Sequence, residues 1–439
     1  MHRQKFNSVK ENFLQRRYGV RLGRRYVLAA AGVMLMGVLG CSQVNDSTSA
    51  LAKSPLPTES PSTKKTVTPD TKVVAANTKF SFKLFSEVLK KDSKDNIFIS
   101  PSSVAIALAM TYNGASGSTQ QAMAKALELQ GISLEEINSS NAALKALLEN
   151  PDPKVQLIIA NSLWANKHTS FKSEFIQKNK DFYKAKVTNL DFKNSRSSGV
   201  INTWVNENTR GKINKIVETI EPEQILFLIN AIYFKGNWSN EFDKNQTAEY
   251  PFYVVSEKQK QHPMMSQTGD YRYLENEQFQ AVSLPYGKDG KISFYVFLPK
   301  QNNSKAFYDN LNSDNWEKWM AQFSKQEGFV RLPRFKINYD ITLNDALTDL
   351  GMGEAFSQRA NFSAMGKNLA ISQVKHKTFV EVNEEGTEAA AATSVGIVAT
   401  SAVEKPKPFR MIVDRPFFCA VRDNQTGSVL FMGSIVEPQ

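Results

Sequence analysis

A chain of 439 residues with 41% hydrophobic and 22% charged residues is long enough for a large core and too balanced to be a disordered or fibrous protein. Its net charge of +11 would suit nucleic acid, but residues 1–40 carry eight Lys or Arg against one acid, Glu11, so that segment supplies +7 and leaves +4 for the other 399 residues. No basic, aromatic-interleaved stripe of the kind nucleic-acid binding favours is visible, and none of the metal, dinucleotide or phosphate-loop spacings is present. The expected cofactor list is therefore empty, with no metal and no nucleic acid.

The N-terminus comes first. Residues Arg16 to Arg25 are basic, and Tyr26 to Leu39 is almost purely apolar. That run is short for a bilayer span of about 20 residues and reads as an export signal. It ends in Val38-Leu39-Gly40-Cys41, which resembles the bacterial lipoprotein cleavage site, although Val38 and Leu39 depart modestly from the usual pattern. The resemblance implies acylation of Cys41 and a place in the cell envelope. A chance cysteine in a cleaved signal is the bland alternative. Cys419, the second of two cysteines, sits between Phe417-Phe418 and Ala420-Val421 and reads as a buried strand thiol. Residues 41–77 are rich in Ser, Thr, Pro and Lys and read as a tether.

From Thr78 the spacing of Phe80, Leu84, Phe85, Val88 and Leu89 predicts a helix. Asn96 to Pro101 reads as a strand and turn, Ser102 to Tyr112 as an apolar helix, and Ser118 as the cap of a helix through Leu127. Ile201 to Val205 is helical and Ile225 to Phe234 a buried strand. Strands follow at Phe279–Leu284, Ile292–Leu298, Phe329–Ile337, Val374–Val382, Phe409–Val413, Phe417–Val421 and Val429–Val436, interrupted by a helix at Leu343–Leu350. The order predicts an α+β fold with largely antiparallel sheets.

Between the last strands lies Glu384-Glu385-Gly386-Thr387-Glu388-Ala389-Ala390-Ala391-Ala392-Thr393-Ser394. In a strand, Thr387, Ala389, Ala391, Thr393, Val395 and Ile397 would share one uncharged face. The segment suits insertion in a sheet or exposure as a loop, and so suggests a switch. An Ala-rich helix capped by Thr387 and a flexible connector are the bland alternatives.

Several ordered strings resemble the serpin family: Asn96 to Ser103, Asn230 to Trp238, Leu332-Pro-Arg-Phe335, Asp349-Leu-Gly-Met352, Ala360-Asn-Phe-Ser363, Asp414-Arg-Pro-Phe417 and Leu430-Phe-Met-Gly433. The resemblance covers the body from about Thr78 to the end. It implies about three mostly antiparallel sheets, surrounding helices and an exposed reactive loop over about residues 384–408. It also implies a bait mechanism, in which a protease attacks the loop and the cut loop enters the central sheet before the acyl-enzyme hydrolyses. The hinge would be Glu385 to Ala392. Ser100, Ser103, Asn230 and His376 would form the polar cluster beneath the sheet, and Trp238 would stand near the point of insertion. No residue of the chain would be catalytic.

Counting about fourteen residues from Gly386, as the family does, puts the cut bond at Thr400–Ser401, within a window from Ile397 to Val403. Small and β-branched residues fill that window, which favours an elastase-type serine protease, with cysteine proteases as a second class. His168 and His262 read as surface residues. The protein is expected to be a monomer that meets a membrane only through Cys41. A non-inhibitory serpin fold acting as a carrier is the runner-up. A lipid-anchored solute-binding protein and an enzyme fit the body less well.

Overall fold

The computed structural model describes residues 68–149, 151–254, 258–300, 304–387 and 407–439. In chain order the helices are α1 (Thr71–Asp92), α2 (Pro101–Tyr112), α3 (Gly117–Ala126), α4 (Leu134–Glu149), α5 (Ser173–Tyr183), α6 (Ser197–Asn208), α7 (Ser304–Asp309), α8 (Ser313–Gln322) and α9 (Asn344–Leu347). The strands are β1 (Ile97–Ile99), β2 (Val155–Asn166), β3 (Lys186–Leu190), β4 (Leu226–Asn237), β5 (Ala248–Tyr253), β6 (Gln259–Glu275), β7 (Phe279–Tyr286), β8 (Ile292–Pro299), β9 (Ser324–Pro333), β10 (Phe335–Thr342), β11 (Gln373–Asn383), β12 (Gly386–Thr387), β13 (Phe409–Ile412), β14 (Phe417–Asp423) and β15 (Val429–Ile435). None of the described helices is long and apolar enough to cross a membrane.

Helix α1 starts seven residues before the predicted Thr78. Asp70 caps it by accepting the Lys72 N–H at 2.7 Å, and Val73, Val74 and Ala76 are buried, so residues 71–77 belong to the body and not to the tether. The predicted cap of α3 also shifts. Ser116 occupies the cap position, while Ser118 lies in the first turn and donates its hydroxyl to Glu354 Oε1 at 2.6 Å. Every residue of α2 is buried. That helix is wrapped on all sides, which is why its sequence is apolar throughout instead of amphipathic.

Hydrogen bonding joins the described strands into a six-stranded sheet, β10-β11-β12-β4-β2-β3, and a nine-stranded one that includes the rest. The long β6 pairs in turn with β5, β9 and β7, so strand groups that would otherwise count as separate sheets form one ladder. The predicted strand Phe329–Ile337 is two strands in different sheets. Its break falls at Arg334, after Pro333, with β9 on β6 and β10 on β11.

The six-stranded sheet has a core on each face. Leu228, Ile232 and Phe234 of β4 join the main core, while Phe227, Ile229 and Ala231 pack with Trp164, Ile201, Val205 and Ile216 in a second cluster beneath α6. Burial on both faces explains why β4 reads as an unbroken apolar run.

Candidate functional site

Strands β4 and β11 are the centre of the six-stranded sheet. They pair directly and in parallel from Phe227–Gln373 to Tyr233–Phe379. Beyond that point they part, and β12 lies between them. Gly386 and Thr387 pair antiparallel with Asn237 and Gly236 of β4 on one side, and with Asn383 and Val382 of β11 on the other. Of the predicted hinge, Glu385, Gly386 and Thr387 are therefore buried and Gly386–Thr387 is already a strand. Residues 384–387, at the start of the predicted loop, are thus held in the body.

Local chemistry holds this turn. The Asn383 side chain accepts the N–H groups of Glu385 and Gly386 at 3.0 and 3.2 Å. The Glu385 carbonyl accepts the Trp238 N–H at 3.0 Å, and the Glu384 carbonyl accepts that of Phe242 at 2.8 Å. Lys244 pairs with Glu385, while the buried Glu384 carboxylate accepts from Thr247 Oγ1 at 2.8 Å and faces Arg334 at 3.7 Å. Gly386 has φ +142°, and a Cβ there would lie 2.1 Å from the Gly236 carbonyl oxygen, so only glycine fits.

Trp238 is the floor beside the hinge. Its indole N–H donates to the Asn383 carbonyl at 2.9 Å, and its ring stacks on Tyr286 at 4.4 Å. The Tyr286 hydroxyl in turn meets Thr387 Oγ1 at 2.8 Å. Thr387, 1% exposed, thus points into the main core.

Lower in the seam, Ser100, Ser103, Asn230 and His376 come together as predicted, joined by Asn161. All five are buried. His376 Nε2 accepts the Ser100 N–H at 3.0 Å, so that nitrogen is unprotonated and Nδ1 donates to Asn230 Oδ1 at 2.6 Å. The Asn230 amide donates to Ser103 Oγ at 2.6 Å and Asn161 Oδ1 at 2.5 Å. Ser100 Oγ donates to the Leu430 carbonyl at 2.6 Å. Asn161 was not predicted; its position opposite Asn230 in the β2–β4 ladder is the signal that would have found it. Its amide nitrogen is buried with no partner among the described residues.

The other candidates fall apart from this site. His262 is buried against the Arg334 carbonyl at 2.5 Å and is not a surface residue, whereas His168 is exposed. Cys419 is fully buried, and burial pushes its thiol well above the usual range, so it is a core residue. Among the described residues no group of His, Cys, Asp and Glu could hold a metal ion. Glu388, Ala389, Ala390, Ala391, Ala392, Thr400, Ser401 and Cys41 lie outside the described residues.

A family model described as serpin, serine protease inhibitor, matches residues 75–438. The chain belongs to the serpin family. The fold is accordingly α+β and of the serpin type. An uncharacterized serpin-like protein of Thermococcus kodakarensis is 34% identical over 371 residues, covering 84% of this chain and 86% of the relative. The leukocyte elastase inhibitor of Bos taurus is 35% identical over 83% of this chain and 99% of its own. Among solved structures, the native thermophilic serpin tengpin matches with TM-score 0.78 at 34% identity, covering 84% of this chain and 95% of its own. Human thyroxine-binding globulin also reaches 0.78, at 29% identity, with 84% and 99% covered. By their names, this serpin's relatives include both a protease inhibitor and a hormone-binding protein. Serpins typically bind target proteases as inhibitors rather than acting as catalysts, and the family also has members named for ligand binding.

The polar cluster has a consequence for acid stability. Burial holds His376 down at about 3, a shift that the hydrogen bond to Asn230 offsets only in part. An unfolded histidine titrates near pH 6.5, so below that value the unfolded chain takes up a proton that the folded chain refuses. Stability from this group is complete above pH 6.5 and falls by up to about 1.4 kcal/mol per pH unit as pH drops towards 3. His262 is also lowered, mainly by burial, and acts in the same sense. Denaturant unfolding between pH 7.5 and 5 should show this loss in the wild type and a shallower slope in His376→Gln. Equal slopes would contradict the assignment.

Proposed function

We propose that this serpin is an inhibitor of serine proteases that traps its target by inserting the cut reactive loop between β4 and β11. The observation that carries the reading is the two-residue β12, paired on both sides at the top of a seam whose lower part is closed. Each further loop residue in that register would step one residue back along both neighbours. Six residues beyond Thr387 is Thr393; six residues back from Gly236 and Val382 are Asn230 and His376. Thr393 would thus arrive between the two residues whose hydrogen bond closes the seam, on the same inward face as Thr387. Its hydroxyl would offer a new partner to polar groups that insertion separates.

The register also sets the length of the slot. Ile397 would lie opposite Leu226, the first residue of β4. Thr400 would then stand three residues past the sheet's far end, which fits a cut at Thr400–Ser401. Ala389, Ala391 and Val395 would complete the inward face, so the inserted strand buries no charge on the main core. A parallel pair would be replaced by two antiparallel ladders, a gain that can drive the change from a metastable to a more stable sheet.

The small residues from Val398 to Val403, and the similarity to a leukocyte elastase inhibitor, support an elastase-type target. The chain would be the bait, and the nucleophile would be the protease's own. The alternative, a non-inhibitory carrier, is supported by the equal fold match to thyroxine-binding globulin. The uncharged inward face and partly seated hinge favour inhibition.

We also propose export with acylation of Cys41, which would hold the serpin at the cell envelope. Mass spectrometry of the membrane fraction should find an acylated peptide beginning at Cys41, and an unmodified mature N-terminus elsewhere would contradict this. For the trap itself, mixing with an elastase-type serine protease should give a band at the summed mass that survives boiling in detergent. Ala391→Arg, at a position that insertion would place on the inward face, should turn the protein from inhibitor to substrate, lowering the complexed fraction at least tenfold for about 1.4 kcal/mol or more of buried-charge penalty. Undiminished trapping by that variant would rule out insertion along this face. Clean cleavage of the wild type, with no gain in heat stability, would favour the carrier.

A further inference from the structure

The nine-stranded sheet ends in the order β6-β9-β13, with β5 on the other side of β6. On one face of this part four side chains form an alternating stack. The Arg331 guanidinium lies 3.5 Å from the centre of the Tyr250 ring and 5.5 Å from that of Phe329. The Arg410 guanidinium lies 4.6 Å from the centre of the Phe329 ring. Register explains the row: Phe329 and Arg331 are two apart on β9, Arg410 is opposite Phe329 on β13, and Ser266 of β6 is opposite Arg331. Ser266 Oγ accepts from Arg331 Nε at 3.2 Å, which fixes the guanidinium plane.

Arg410 is exposed, and Tyr250, Phe329 and Arg331 are half-buried. Neither guanidinium has a carboxylate partner among the described residues. The acid on the same face of β9, Glu327, carries an interaction of its own. Stacking holds a guanidinium flat but leaves its N–H edges free, and those edges suit a carboxylate's paired oxygens.

Position selects the partner. The Lys407 carbonyl accepts from the Gln326 side chain at 3.2 Å, and β13 starts two residues later. Arg410 is therefore ten residues past Thr400, within about 33 Å of fully extended chain. A protease engaged on the loop would therefore have its bound segment tied within that reach of Arg410. We infer that the Tyr250–Arg331–Phe329–Arg410 stack is a secondary contact for an acidic surface patch of the target protease, which steers docking and favours acidic proteases among those able to cut the loop. The inference rests on the inhibitory reading above.

The test uses the full chain and two elastase-type proteases, one of acidic and one of basic isoelectric point. The rate read is total consumption of the intact loop, as complex plus cleaved product, at low and high salt. Arg410→Glu should slow the acidic protease about tenfold at low salt, speed the basic one, and lose both effects at high salt. Arg410→Lys should keep most of the charge effect. An unchanged unfolding midpoint in both variants makes the comparison one of docking. Equal rates for wild type and Arg410→Glu, or a change of the same sign for both proteases, would overturn the contact while leaving the trap intact. A wild-type loop that neither protease consumes would overturn the inhibitory reading and this contact with it.

Discussion

Two parallel strands, paired along a continuous ladder and joined at its middle by a buried side-chain hydrogen bond, set the character of this molecule. The pairing of β4 with β11 puts His376 against Asn230 at the centre of the six-stranded sheet. Parallel neighbours leave a slot that an antiparallel strand can fill with good pairing on both sides. A sheet closed this way is complete enough to fold, and the insertion proposed above would give it a more fully paired state. The lock at the middle of the seam is polar. Parting the strands requires new partners for an imidazole, a carboxamide and two serines, because buried polar groups are costly when left alone.

The top of the sheet is where the slot has begun to fill. Gly386 is the only residue that can pass so close to the Gly236 carbonyl, and Thr387 is held by Tyr286, which Trp238 backs. The buried Glu384 and Glu385 tie the end of β11 to the segment after β4 by backbone and side-chain contacts. The hinge is therefore anchored and aimed. Its two paired residues would set the register of the proposed insertion, which links the local geometry to the proposed cut bond.

Much of this was legible in the sequence because it lies in short, strongly patterned strings. The strand around Asn230 and the alternation from Val374 to Val382 read correctly, and the structure brings the four predicted polar residues into one cluster. The uncharged face beginning at Thr387 was visible from period two alone, and the structure turns Thr387 inward. What was not legible depends on partners far away in the chain. Asn161 looks like a polar break in an apolar run until β2 is laid beside β4. The run from Phe329 to Ile337 looks like one strand because nothing local says that β9 and β10 belong to different sheets. The depth of Glu384 and Glu385 was hidden because two adjacent acids read as solvent-exposed, and only Lys244, Thr247 and Arg334 make their burial tolerable. His262 was misjudged for the same reason: its environment is the Arg334 carbonyl, 72 residues away.

The central claim is that the cut loop enters the seam in the register already set by Gly386 and Thr387. A pair of cysteines tests it most directly. In that register Ala392 comes to lie opposite Ala231, at a spacing a disulfide can bridge. The double variant Ala231→Cys, Ala392→Cys should form the cross-link after the loop is cut, and a pair shifted by one residue, Ala392→Cys with Ile232→Cys, should not. Failure of the first pair to cross-link after cleavage, or equal cross-linking before it, would contradict insertion in this register.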